Sequence, residues 1–435
     1  MNALRKKINQ NIWLKISSFN ALAVFSRVVG SWLVNKLIAI YIGPSGTSLT
    51  EQYRNFLQTT QGMASLGLSD GVTKYAAKYE NHTKRFSSFL WSIYKLIITS
   101  SFFMGIIIWI EANQISHFLF KTSGYTNFIR LTAIMLPLMA FNIIFTAILS
   151  GLQQYKKITA IQIVSQIATA LMAVYLIINF HLKGALWLIL AGQFIHFAVT
   201  LWIIRKKYRY FLNFLPQKTD KNNYKRLYRY MLMAVVTAIT APVFSILIRN
   251  QIFNFYAFDH GVHAGYWDGV KKISAMAMAF ITPVFSFYYY PQLVKVHDNI
   301  TWREEIRKYF KQIFPLIVAG LVLLYLLRKW LILLFFSKAY LPMEALLPWQ
   351  FAGDLIRISA LTLAYMMLAK AHTFYYIFTE IGFWVIFYLL SHFLLIHYGI
   401  TGIVKAYFLT YIVYIFILII LYRKLLFTKE KRIIK

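Results

Sequence analysis

Residues 12–42 read IWLKISSFNALAVFSRVVGSWLVNKLIAIYI, an apolar run with Lys15 near its start and Arg27 and Lys36 in its interior. About 20 apolar residues cross the hydrocarbon core of a bilayer, so this run is long enough to span it with Arg27 and Lys36 inside. The next apolar segment carries Glu51 and Arg54, and later ones carry Arg249, Asp268, Lys271, Asp354, Arg357 and Glu380. A charge at the bilayer centre costs about 2.5–3.5 kcal/mol on insertion scales, so such residues turn toward a polar cavity or a partner and away from lipid. The pattern is that of a transporter.

Composition points the same way. Of 435 residues, 59% are hydrophobic and 14% charged, and the mean hydropathy is +0.57, too apolar for a soluble protein of this size. Lys and Arg number 46 against 14 Asp and Glu. In a soluble chain that surplus would suggest nucleic acid, but here most of it lies in short connections between apolar segments, and no nucleic-acid module is visible. The chain has no cysteine, which excludes disulfides, thiolate metal sites and a cysteine nucleophile. Its histidines stand mostly at helix ends with no pair at metal-ligand spacing, so neither a metal nor a cofactor is expected. Arg5, Lys6 and Lys7 precede the first run, no small-residue cleavage site follows it, and it reads as an uncleaved membrane helix.

Spans are predicted near 12–42, 49–68, 86–110, 127–150, 158–180, 184–205, 229–256, 264–290, 312–336, 346–369, 375–397 and 400–422. The N-terminus, alternate connections and the tail from Arg423 hold about thirty Lys and Arg, against about five in the opposite set, which predicts both termini on the cytoplasmic side. Arg328, Lys329 and Lys338 are the exception. Gly43-Pro44-Ser45-Gly46 reads as a tight outer turn. The basic, aromatic stretch 206–228 reads as an anchor on an anionic leaflet and a joint between lobes.

An internal repeat supports two lobes. Gly184 precedes a largely apolar, helix-length run ending in Arg205-Lys206, and Gly402 precedes one ending in Arg423-Lys424, at a common offset of 218 in the numbering. Glu51 and Arg54 recur as Asp268 and Lys271 at an offset of 217, and SGLQQYKKITAIQI (150–163) aligns with AKAHTFYYIFTEIG (369–382) at 219. The expected fold is all-α and integral to the membrane: twelve transmembrane helices in two six-helix lobes, related by a pseudo-two-fold axis along the membrane normal. Residues 1–206 form the first lobe, 207–228 the basic cytoplasmic linker and 229–435 the second lobe.

The charged positions share helix faces. Glu51, Arg54, Gln58, Gln61 and Ser65 follow at three- or four-residue steps and form one polar stripe. Arg27 shares a face with Ser31, Arg249 with Ser245, and Trp267 with Lys271 and Ser274; Asp268 can reach Lys271 or Lys272 along its helix. The plain structural alternative is that each acid neutralises a basic neighbour, as Asp354 would Arg357 one turn away. For the set that is insufficient, because cations outnumber acids and Arg27, Lys36 and Arg249 have no acid within a helical turn. An opposite unit charge about 4 Å away is worth on the order of 4 kcal/mol at an effective dielectric of 20, so a surplus of buried cation calls for an anion. A phosphate-bearing ligand fits, met by Arg through bidentate hydrogen bonds and by Lys as a point charge.

Three stretches carry a resemblance: IGPSGTSLTEQYRNFLQTTQGMASLGLSDGVTKYAAKYEN (42–81), IRNQI with GYWDGV (248–252, 265–270), and WQFAGDLIRISALTLAYMMLAKAHTFYYIFTE (349–380). Over nearly its whole length the chain resembles the Wzx-type flippases, the group of common-antigen (lipid III) and O-antigen translocases, within the superfamily of multidrug exporters and the lipid II flippase. The resemblance implies a non-enzymatic flippase of the bacterial inner membrane. Such a protein moves an undecaprenyl-diphosphate-linked oligosaccharide outward by alternating access, holding the diphosphate in a central cationic cavity. Membrane lipids, a polysaccharide polymerase and a chain-length regulator are the partners it implies. Arg27, Lys36, Arg54 and Arg249 match basic positions of the family, and Asp354, Lys370 and Glu380 match others; Asp268 departs from a neutral amide. The candidate substrate-binding set is therefore Arg27, Lys36, Glu51, Arg54, Arg249, Trp267, Asp268, Lys271, Asp354 and Arg357. A multidrug or cation exporter is the alternative, disfavoured because it would prefer surplus carboxylates.

Overall fold

A computed structural model describes residues 26, 28–79, 83–207, 221–285, 289, 293, 299–369 and 372–427. All regular structure among them is helical. Hydrocarbon offers no hydrogen-bond partners, so a spanning backbone must satisfy itself within the segment, and a helix does so. The first half contains α1 (Val28–Tyr41), α2 (Gly43–Ala64), α3 (Ser69–Tyr79), α4 (Thr83–Ile110), α5 (Ala112–Phe120), α6 (Thr126–Gly151) and α7 (Tyr155–Lys207). The second contains α8 (Lys221–Phe255), α9 (Val262–Val284), α10 (Asn299–Lys308), α11 (Phe314–Leu326), α12 (Arg328–Phe335), α13 (Leu347–Ala369), α14 (Thr373–Tyr398), α15 (Ile400–Leu421) and the short α16 (Arg423–Phe427). Seven helices among the described residues are individually long and apolar enough to cross a membrane.

Several expectations need correction. Gly43-Pro44-Ser45-Gly46 is the first turn of α2: Gly43 takes φ +80° and Pro44 sits in the opening turn, where its fixed φ suits a helix and its missing N–H costs nothing. The span predicted at 312–336 breaks at Leu327 into α11 and α12. The basic stretch is helical from Lys221, with 208–220 outside the described residues. The helices α3, α5 and α10 lie where connections were expected; each is too short to span, so a rule based on spanning length passes over them. Arg328 and Lys329, the exceptions to the charge pattern, are neutralised by Glu344 at 2.9 and 4.0 Å.

The helical hairpin of the repeat has the same local build in both halves. In α7 the helix breaks at His181 (φ 46°, ψ −124°), and between α14 and α15 it breaks at Gly399 (φ 58°, ψ −147°). Shortly beyond each break, at Gly184 and Gly402, stands a glycine packed on a carbonyl of the preceding helix. A Cβ on Gly184 would lie 1.9 Å from the Leu176 oxygen, and one on Gly402 2.1 Å from the Leu394 oxygen. Break, glycine and carbonyl all keep the offset that separates the two glycines in the sequence.

The described residues of 1–42 and 49–243 form one compact unit, and those of 43–48 and 244–435 form the other. In the first, α4 and α3 pack on α6, and α6 on α7. In the second, α15 packs between α13 and α14, and α9 contacts both α13 and α15. The stretch 43–48 is tied into that second unit: a Cβ on Gly265 would lie 2.0 Å from the Pro44 oxygen, and Thr47 shares a hydrogen bond of 2.5 Å with the Tyr340 hydroxyl.

Candidate functional site

The first unit encloses a cavity of about 510 Å³. Three helix stripes line it at the i, i+3, i+4, i+7 spacing that keeps residues on one face. Arg54, Leu57, Gln58 and Gln61 come from α2, Gln162, Ser165, Gln166 and Thr169 from the first arm of α7, and Ile189, Gly192, Gln193 and His196 from its second arm. Ser31 of α1 and Asn142 of α6 complete its polar wall. The α2 stripe was legible in sequence; those of α7 were missed, although polar residues at three- and four-residue steps within an apolar run are the same signal. A polar face on a spanning helix is costly against lipid, so all three turn inward.

Arg54 is the one cation among the described residues lining this cavity, and no Asp or Glu lines it. It pairs with Glu51 one turn back at 3.6 Å, the two side chains 34% and 19% exposed. A long, partly solvated pair of this kind holds its members weakly, worth about 0–1 kcal/mol. Across the cavity, the Asn142 amide donates to His196 Nδ1 at 2.6 Å while its oxygen accepts from Thr200 Oγ1 at 3.1 Å. An accepting Nδ1 puts the proton of a neutral imidazole on Nε2. Lys36 is half-buried on α1, and Arg27 lies outside the described residues, as does Lys370.

Two polar clusters occupy the second unit. In one, Arg249 of α8 meets Asp268 of α9 through two parallel hydrogen bonds, Nε to Oδ2 at 2.8 Å and Nη2 to Oδ1 at 2.7 Å. The side chains are 0% and 2% exposed. Trp267 lies beneath both nearby cations, 5.6 Å from the Arg249 guanidinium and 4.2 Å from Lys271 Nζ, and Lys271 donates to Ser245 Oγ at 3.4 Å. Arg249 has no acid within a turn of its own helix, and the neighbouring helix supplies one, so it is not part of a cation surplus. Asp268, expected to serve Lys271 or Lys272, forms the bidentate partner of Arg249.

In the other cluster Asp354 is fully buried. Its Oδ1 accepts from Ser274 Oγ at 2.9 Å, the Tyr407 hydroxyl at 2.8 Å and Gln350 Nε2 at 3.4 Å. The Tyr407 hydroxyl in turn accepts from Arg357 Nη1 at 3.4 Å, so a tyrosine bridges the pair expected to meet directly. Gly353 permits this, because a Cβ there would come within 2.4 Å of the Tyr407 ring. Glu380 accepts from the Trp384 indole at 3.2 Å, whereas Asp70 is exposed in the first turn of α3.

An all-α, multi-pass body with a polar cavity walled by spanning helices is a membrane transporter. Solved structures of that class share the fold: an inward-facing multidrug resistance MATE family transporter of the MOP superfamily has a TM-score of 0.73 at 14% identity, covering 92% of this chain and 96% of its own. The lipid II flippase MurJ, in an inward closed conformation, scores 0.69 at 14% identity, covering 93% and 87%. At such identities the likeness establishes the fold alone. The polysaccharide biosynthesis protein family matches residues 16–297, and the chain belongs to that family. It is also similar to the lipid III flippases of Escherichia coli strain K12 and Shigella flexneri, at 27% identity over 404 residues, covering 92% of this chain and 95% of each relative.

Proposed function

We propose that this protein is a flippase that moves an undecaprenyl-diphosphate-linked oligosaccharide, an O-antigen or common-antigen repeat unit, across the bacterial inner membrane by alternating access. The observation that carries the reading is similarity to lipid III flippases along nearly the whole chain, joined to a cavity whose charged wall is a weakly held arginine. The helices act as twelve spans in two six-helix lobes, residues 1–206 and 229–435, with both termini cytoplasmic. The matched hairpin joints at His181 and Gly399 support the repeat. Transport proceeds without hydrolysis of the lipid; a polymerase and a chain-length regulator act on the product.

In this reading Arg54, Arg27 and Lys36 are the candidate diphosphate ligands of the first lobe, and Lys271 is the candidate of the second. Arg249 is held by Asp268 and works with Trp267 to position Lys271. Glu51 keeps Arg54 from binding the anion too tightly for release, and Asp354 and Arg357 set the packing of their three helices. A drug or cation exporter would favour a carboxylate-bearing wall, and no Asp or Glu stands among the described residues lining this cavity. The test is complementation of strains lacking a lipid-linked glycan flippase, with glycan measured at the periplasmic face. Arg54→Ala at normal protein level should abolish transport; wild-type transport by that variant would remove Arg54 from the mechanism, and failure of the parent chain with every glycan would reject the function.

A further inference from the structure

We infer that the cavity of the first unit is a saccharide subsite, taking uncharged, polyhydroxylated sugar rings that adjoin the diphosphate. This deepens the flippase reading and rests on it. Five glutamines, Gln58, Gln61, Gln162, Gln166 and Gln193, face one space of about 510 Å³. Each carboxamide brings an acceptor oxygen and two donor hydrogens. A sugar hydroxyl both gives and takes a hydrogen bond, and an acetamido substituent does the same, so amides complement them where carboxylates, which only accept, and lysines, which only donate, do not. The wall adds Ser31, Ser165, Thr169 and Asn142, the same dual chemistry, beside four aliphatic residues, Val34, Leu57, Leu188 and Ile189; among the described lining residues His196 is the one aromatic ring. Cavities for drug-like molecules fall in the same range of about 300–1,000 Å³ but are mostly apolar and aromatic.

The amides are also positioned. Gly30 lets the Gln166 side chain lie against α1, since a Cβ there would come 2.2 Å from Gln166 Nε2. Asn142 is fixed by Thr200 and His196. Gln61 Nε2 and Ser165 Oγ are buried and have no hydrogen-bond partner among the described residues, the condition of a wall that takes water or ligand atoms. Arg54 sits on the α2 stripe one turn from Gln58 and two from Gln61, so a diphosphate held there leaves its attached sugar beside the amides. The ligand is therefore read in two parts: charge by Arg54, sugar by the glutamines.

The experiment titrates the full chain, in nanodiscs, with undecaprenyl diphosphate, with undecaprenyl diphosphate bearing one N-acetylhexosamine, and with the free N-acetylhexosamine. Wild type should prefer the sugar-bearing lipid over the bare diphosphate by roughly ten-fold or more, the yield of about two neutral hydrogen bonds, and should bind the free sugar only weakly. Gln162→Leu with Gln166→Met should erase that preference while leaving affinity for the bare lipid within about two-fold. Gln58→Leu, at an exposed side chain, should reduce it several-fold and guards against loss through misfolding. Equal preference in wild type and all variants would overturn the subsite while sparing the flippase reading, as would free sugar binding as tightly as the lipid-linked form. Failure of wild type to bind either lipid would overturn both.

Discussion

Asp268→Leu should be among the most damaging single substitutions in this protein. It leaves the Arg249 guanidinium, 0% exposed, without the carboxylate that takes hydrogen bonds from Nε and Nη2 at 2.8 and 2.7 Å. Removing one member of a buried ion pair costs about 3–5 kcal/mol, because the remaining charge stays desolvated, whereas replacing both by apolar residues of similar volume is often neutral or stabilising. Two of its other contacts, a cation–π approach of 5.6 Å to Trp267 and a 3.5 Å bond to the Ser245 carbonyl, are long and neither brings a counter-charge. The expected series is therefore Asp268→Leu and Arg249→Met each losing about 3–5 kcal/mol, and the double variant recovering most of the loss. Reversible unfolding in mixed detergent micelles measures all four corners of the cycle, and its coupling term isolates the pair. Single losses below about 1 kcal/mol, or a double variant as unstable as the singles added together, would refute the argument that Arg249 and Asp268 serve first as each other's counter-ion. Transport by the stable double variant would then show that Arg249 is dispensable as an anion ligand.

Alanine at Gly184 or Gly402 forces a Cβ to within 1.9 or 2.1 Å of a backbone oxygen, so each should lose about 1–3 kcal/mol, read by the same unfolding assay; near-parental stability of both would argue against the shared hairpin joint. His181→Gly relieves a side-chain-bearing residue at φ 46°, ψ −124°, a region costing of order 1–3 kcal/mol for residues other than glycine, and should stabilise by roughly 1 kcal/mol; destabilisation beyond that would show the imidazole is needed. Tyr407→Phe removes the hydroxyl that donates to Asp354 and accepts from Arg357 and should cost about 1–3 kcal/mol, with a loss no larger for Arg357→Lys in its background than in wild type if the bridge is real.

Length and spacing alone determined the class of fold. Apolar runs of spanning length, and charges recurring at a near-constant offset between the halves, follow from bilayer thickness and helix rise, both local quantities, so the main helices were legible in order and approximate extent. The Gly184 and Gly402 match was visible as letters, and its meaning, a glycine beneath a carbonyl of the preceding helix, needed the folded hairpin. The polar stripe of α2 could be read because a helix repeats within its own sequence. Which residues face it could not, because Gln162, Gln166, Gln193 and Asn142 reach the cavity from α6 and α7, far along the chain from α2. Charge pairing failed for the same reason: Arg249 looked unmatched when only its own helix was counted, and its acid stands on the next one, α9. Periodicity determines which face of a helix is polar, whereas only tertiary packing decides what that face meets, since the energy of a buried charge or amide depends on groups a few ångströms away in space and not on its neighbours in the chain.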